Sequence, residues 1–173
     1  MQGDPSLPIN GAGTVQGIFH PVISVSDIDA SLRFYRDILR LSATFDDFHD
    51  SLAIARLFGF AEPRVRSAIL ECADRSEFEL VEFQQPRGRQ TTDQGMNDAG
   101  IVALALRVRN LVELVGRVEA GGLTISSGIV EQILPDGAVL RVAVCTAPDG
   151  VRIILVEPPE GRRSLGATQG WRP

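Results

Sequence analysis

From Gly17 onward the chain alternates short runs of β-branched and aromatic residues with stretches of helical period. Residues 18–25 are rich in strand formers and close on Ser26-Asp27, a turn and helix-start signal. Ile28, Leu32, Tyr35 and Leu39 then recur at spacings of four, three and four, which predicts an amphipathic helix with Tyr35 in its buried stripe. Ser26 and Asp29 stand where a capping box would place its two members. Residues 41–45 predict a second strand running into an acidic loop at 46–50, and residues 51–58 a short helix. Residues 65–71 and 77–83 predict a hairpin around Ala73-Asp74-Arg75-Ser76.

After Gly100 the pattern restarts. Residues 101–108 predict a strand, and Asn110 with Glu113 caps a helix whose buried stripe is Leu111, Leu114, Val115 and Val118. Gly121-Gly122 stop that helix. Strands follow at 124–133 (broken near Gly128), 139–145 and 151–157. Both halves therefore read strand, helix, three strands, as a duplication does. Ser24-Val25-Ser26-Asp27-Ile28 lies over Arg107-Val108-Arg109-Asn110-Leu111, 83 positions on, and Phe78-Glu79-Leu80-Val81-Glu82 over Ile153-Ile154-Leu155-Val156-Glu157, 75 positions on. The difference assigns eight extra residues to the first module, at the His49 loop and its short helix. The organisation expected is a flexible leader at 1–16, a first βαβββ module at 17–86, a polar linker at 87–99, a second module at 100–159 and a loose tail at 160–173.

Composition narrows the partners. A net charge of −5, with no basic run longer than Arg162-Arg163, argues against nucleic acid or an anionic membrane surface. No apolar run approaches the ~20 residues that a helix needs to span a bilayer. Residues 1–14 lack the basic start and apolar stretch of a signal peptide. Cys72 and Cys145 are isolated, which suits reduced thiols in a cytoplasmic protein. Gly11-Ala12-Gly13 has no strand before it and is no phosphate loop, and no nucleophile elbow is present.

The lead-in Phe19-His20-Pro21-Val22-Ile23-Ser24-Val25-Ser26-Asp27-Ile28-Asp29, its helix Ser31-Leu32-Arg33-Phe34-Tyr35-Arg36-Asp37-Ile38-Leu39 and the closing Ala147-Pro148-Asp149-Gly150-Val151-Arg152-Ile153-Ile154-Leu155-Val156-Glu157-Pro158 together resemble the vicinal-oxygen-chelate superfamily, which includes glyoxalase I, bleomycin-resistance proteins and extradiol dioxygenases. The resemblance spans roughly residues 17–159. It implies an α+β fold of two tandem βαβββ modules whose sheets form a shared cup, a homodimer, and a divalent metal (Zn, Ni, Fe or Mn) held by one residue from the first and one from the last strand of each module. Substrates of that family chelate the metal through neighbouring oxygens.

Strand parity sends His20, Val22 and Ser24 to one face and Phe19, Ile23 and Val25 to the more apolar, helix-packing face. By the same rule Glu79, Val81 and Phe83 oppose Phe78 and Leu80. His20 and Glu79 thus fall at the resemblance's first two ligand positions. The register puts Ala103 and Ile154 at the other two, and neither can bind a metal. Ala147 also replaces the acid that opens the family's closing turn. Two ligands hold a transition metal weakly or not at all unless Glu131, Glu157, His49 or another chain supplies a third. Glu157 has the helix-side parity of Leu155, and Arg107 and Arg141 are strand arginines within reach of an anion or of solvent. An extradiol dioxygenase, whose iron needs two His and a carboxylate, is set aside because only His20 and Glu79 remain of that set, and two functions are weighed. One is a lyase, isomerase or epimerase acting on a small oxygenated metabolite, with Glu79 and His20 as base, acid or ligands. The other is a metal-free binding protein whose cup is widened by Ala103, Ala105 and Ile154, with Phe83 and Phe48 as aromatic platforms.

Overall fold

The structure, a computed structural model, describes residues 15, 17–89, 95–100 and 103–162; the expected leader and tail fall almost wholly outside that set. The first module runs β1 (Val22–Val25), α1 (Ile28–Leu32) continuing into a π-helical turn (Arg33–Ile38), β2 (Ser42–His49), α2 (Leu52–Phe58), β3 (Arg64–Glu71) and β4 (Glu77–Gln85). The second runs β5 (Ala103–Arg107), α3 (Leu111–Ala120), β6 (Val130–Ile133), β7 (Val139–Thr146), a 3₁₀ turn (Pro148–Gly150) and β8 (Arg152–Glu157). The two four-stranded sheets have matching orders, β1-β4-β3-β2 and β5-β8-β7-β6, each with one parallel pair. They do not close on one another.

One core serves both modules. Ile28, Leu32, Tyr35, Phe78 and Leu80 join Leu111, Val118, Cys145, Ile153 and Leu155 in a single buried cluster. Adjacent Phe34 and Tyr35 are both buried, so this helix is enclosed on more than one flank. Tyr35 meets Phe78 of the first sheet edge-on at 5.1 Å, and Cys145 and Asp149 of the second module lie close enough to disfavour its ionisation. A Cβ on Gly121, at the end of α3, would meet Ile38 Cδ1 at 2.5 Å. The helix-packing sides of the two sheets thus face the same core, and their opposite sides face away from it.

The duplication extends to the caps. The Ile28 N–H donates to the Glu82 carboxylate at 3.3 Å, and the Leu111 N–H to Glu157 at 3.1 Å. Each module's last strand supplies the anion that its helix N-terminus favours. This corrects the expected Asn110 cap: Asn110 takes a left-handed conformation and its side chain caps nothing. Asp27, not Ser26, caps α1, because Ser26 is engaged by Asp149 of the other module.

Three further expectations change. The acidic stretch at 46–50 is strand as far as His49, since β2 pairs with β3 along its length and Arg66 holds Asp46 through two 2.8 Å hydrogen bonds. The first strand is shorter than its composition suggests: it starts at Val22, and Phe19 is 90% exposed rather than packed on the helix. In the second module, Gly128 separates an isolated bridge at Ile125 from β6. The eight surplus residues of the first module do fall at α2. That helix occupies the β2–β3 connection, where the second module turns directly from Ile133 to Val139.

Candidate active site

The face of the first sheet turned away from the core carries the two residues singled out by parity. His20 sits just before β1, and Glu79 lies on the neighbouring β4, where its N–H donates to the Pro21 carbonyl at 2.9 Å. This bond and the pairing of Glu79 with Val22 and Ile69 fix its backbone in the middle of the sheet. His20 Nε2 and Glu79 Oε2 stand 3.4 Å apart, with the side chains 14% and 22% exposed. His20 Nδ1 is buried and has no hydrogen-bond partner among the described residues. The imidazole thus has one nitrogen against a carboxylate and the other buried without a partner.

Around this pair the face is apolar at one end. Phe83 is in line with Glu79 and Val81, and Phe58 and Phe60 meet its ring edge-on at 5.0 and 5.7 Å. α2 reaches this position because Ser51 Oγ accepts from the Ile54 N–H at its start, while Gly59, at φ 73°, ends it in the left-handed region and turns the chain back. Phe58 and Phe60 were not singled out by sequence reasoning; the eight-residue surplus pointed to this connection and not to its aromatic residues. Phe48 is no platform here. Its register partner is Arg66 on the opposite face, and the guanidiniums of Arg64 and Arg66 lie 5.6 and 5.8 Å from its ring centre.

In the second module the equivalent face presents Ala103 on β5 and Ile154 on β8, next to each other's register partners. Within one copy, Glu157, Glu131 and His49 do not join His20 and Glu79. Glu157 is held by the Leu111 N–H and by Arg141, on the core side of the sheet. Glu131 is paired with Arg141 at 2.9 Å. His49 ends β2 two strands away and stacks on Phe45, with ring centres 5.6 Å apart. Arg107 is paired with Asp74 across the module junction.

A scan against protein families matches residues 17–155 to the model described as the Glyoxalase/Bleomycin resistance protein/Dioxygenase superfamily. The chain belongs to that superfamily. No curated protein matches it. Among solved structures, a glyoxalase family protein from Bacillus cereus is similar at 19% identity and TM-score 0.72, with 85% of this chain and 97% of that one covered. A glyoxylase/bleomycin resistance protein/dioxygenase domain from Frankia is similar at 17% identity and TM-score 0.59, covering 84% and 99%. The genomically encoded fosfomycin resistance protein FosX from Listeria monocytogenes, solved with Mn(II) and sulfate, is similar at 13% identity and TM-score 0.56, covering 85% and 96%. At these identities the likeness shows the fold.

Superfamily members commonly use a divalent metal, so the donor set here can be tested against one. A catalytic transition-metal centre generally takes three protein ligands and keeps one position open. This face offers two donors in contact with each other, and the second module offers Ala103 and Ile154 in place of the rest. Among the described residues no group of three or more His, Cys, Asp or Glu side chains is gathered closely enough to hold an ion. The residues present do not fit a three-ligand centre. No described helix is long and apolar enough to cross a membrane.

Proposed function

We propose that this superfamily member is a lyase, isomerase or epimerase that moves a proton beside the carbonyl of a small oxygenated metabolite, with Glu79 and His20 as the working pair. The observation that carries the reading is their 3.4 Å contact, mostly buried, with His20 Nδ1 unclaimed. Glu79 takes the proton from the carbon next to the carbonyl, and the electron pair moves onto the carbonyl oxygen as an enolate. His20 donates to that oxygen and takes its proton back as the enolate collapses. Reprotonation of that carbon by water on its opposite face inverts it, delivery to the neighbouring carbon isomerises the substrate, and loss of a β leaving group completes a lyase step. Positioned acid–base pairs of this kind contribute about 10²–10⁴-fold.

The cup is completed by a second copy of the chain. In one copy the His20–Glu79 face and the Ala103–Ile154 face both point away from the shared core, so neither covers the other. Exposed apolar residues border the first of them: Ile18 is 89% exposed and Val22 56%. The apolar second wall (Ala103, Ala105, Ile154) also suits a metal-free binding protein, which would need the wall but not Glu79.

Solvent-deuterium incorporation separates the two readings. The wild type, incubated in deuterium oxide with a panel of α-hydroxy ketones and 2-alkyl thioesters, is expected to exchange the acidic carbon proton of at least one of them. Glu79→Gln is expected to lose that exchange by about a hundredfold or more. Exchange that survives in Glu79→Gln would reject the assignment.

A further inference from the structure

The wall that lacks metal ligands carries a cation of its own. On β8, Arg152 shares a face with Ile154 and is the direct register partner of Ala103. It therefore stands between the two positions where the second pair of ligands is missing. It is half-buried, while Ile153 and Leu155 on the other face are fully buried in the core. Three arginines lie on strands of this sheet: Arg107, Arg141 and Arg152. Arg107 is paired with Asp74, and Arg141 with Glu131 and Glu157. Arg152 makes no ion pair among the described residues. Neither register partner can supply one, since they are Ala103 and Thr146, and no strand residue on this face is acidic. A guanidinium half-buried on an apolar wall without a counter-ion is costly unless an anion completes it.

We infer that Arg152 of the partner subunit is the anion-binding residue of the His20–Glu79 site, and that the substrate presents it with a planar, negatively charged pair of oxygens, as a carboxylate or enediolate does. The inference rests on the proposed reading of His20 and Glu79 and adds the substrate's charge and the group that receives it. A guanidinium offers parallel donors in a rigid fork, which matches two coplanar oxygens as a point charge does not. It would stabilise the enolate where relatives place a metal ion, and needs neither Ala103 nor Ile154 to be a ligand.

Oxalate, a planar dianion with neighbouring oxygens, is the probe. The full-length protein is titrated with it calorimetrically, alongside Arg152→Met, Arg152→Lys and a surface control, Arg109→Met, with circular dichroism to show that each is folded. Arg152→Met is expected to bind about tenfold or more weakly, Arg152→Lys in between, and Arg109→Met as the wild type does. Unchanged binding by folded Arg152→Met would overturn the inference, as would wild-type binding that disappears on adding a chelator. Glu79→Gln tells the two proposals apart. It is expected to keep oxalate binding and lose proton exchange. Arg152-dependent binding with exchange intact in Glu79→Gln would remove the function and leave the anion site.

Discussion

Single side chains already separate what is structural from what is chemical. Tyr35 is the case where sequence and structure agree: its position in the helical stripe marked it as core, and its ring is buried between the modules. Its hydroxyl has no partner among the described residues, and burial, ahead of nearby Cys145 and Asp149, pushes its ionisation well above the usual phenol range. A buried hydroxyl without a partner costs about 1–3 kcal/mol of desolvation, so Tyr35→Phe is expected to melt at the same or a higher temperature than the wild type. A marked fall in melting temperature would show that the hydroxyl is bonded after all. His20 and Glu79 were legible for another reason. Alternation along a strand is a rule of geometry and gives Glu79 its face on β4, whereas His20 precedes β1 and its place rests on its contact with Glu79. Their contact was not legible, because it depends on β1 and β4 pairing in parallel with Val22 opposite Glu79. Nor was Arg152, whose isolation shows only once Arg107 and Arg141 are seen to be paired.

At the scale of elements, the hydrophobic period located the helices and strands and missed where polar residues carry the pairing. β2 is exposed along nearly all its length, so no apolar pattern marked its second half. What holds that half is β3 and the ion pairs of Arg66, which donates to Asp46 on β2 and, at 2.9 Å, to Asp29 on α1. Hydrogen bonds from Arg66 keep the Asp46 carboxyl below the ordinary range. A carboxyl so lowered adds stability that is complete above its unfolded pKa, about 4, and is lost as pH falls through the lower folded value. Arg66→Met removes that contribution. Unfolding monitored by denaturant from pH 6 down to pH 2 should therefore show a shallower acid loss in the variant than in the wild type. Parallel acid limbs would place the protonation that matters elsewhere. The helix caps teach the same lesson. Asn110 looked right by type and spacing, but Glu157, 46 residues away, takes the Leu111 N–H instead.

For the whole molecule, the repeat in the sequence announced two modules, and the matching strand orders of the two sheets bear that out. How the modules sit was not written in either one. Tyr35 between Phe78 and the second module, the Ser26–Asp149 contact and the close approach of Gly121 to Ile38 turn both helix-packing sides inward. On the proposed arrangement each outward face takes its opposite wall from a second copy, and the duplication allows one copy to complete the other. Ala103 and Ile154 are accounted for by that proposal, in which the second module supplies a wall and a charge rather than half of a metal site.

Subunit mixing tests this account most directly. Glu79→Gln disables the first module's chemistry, and Ala105→Trp, at an exposed position beside Ile154, blocks the second module's wall. Each variant alone should fail to exchange its substrate's proton with solvent. Unfolded and refolded together in equal amounts, half of the dimers are mixed and each mixed dimer regains one intact site of two, so exchange should return to about a quarter of the wild-type rate. A mixture no more active than its parents, with mixed dimers shown to have formed, would contradict a site built from two copies.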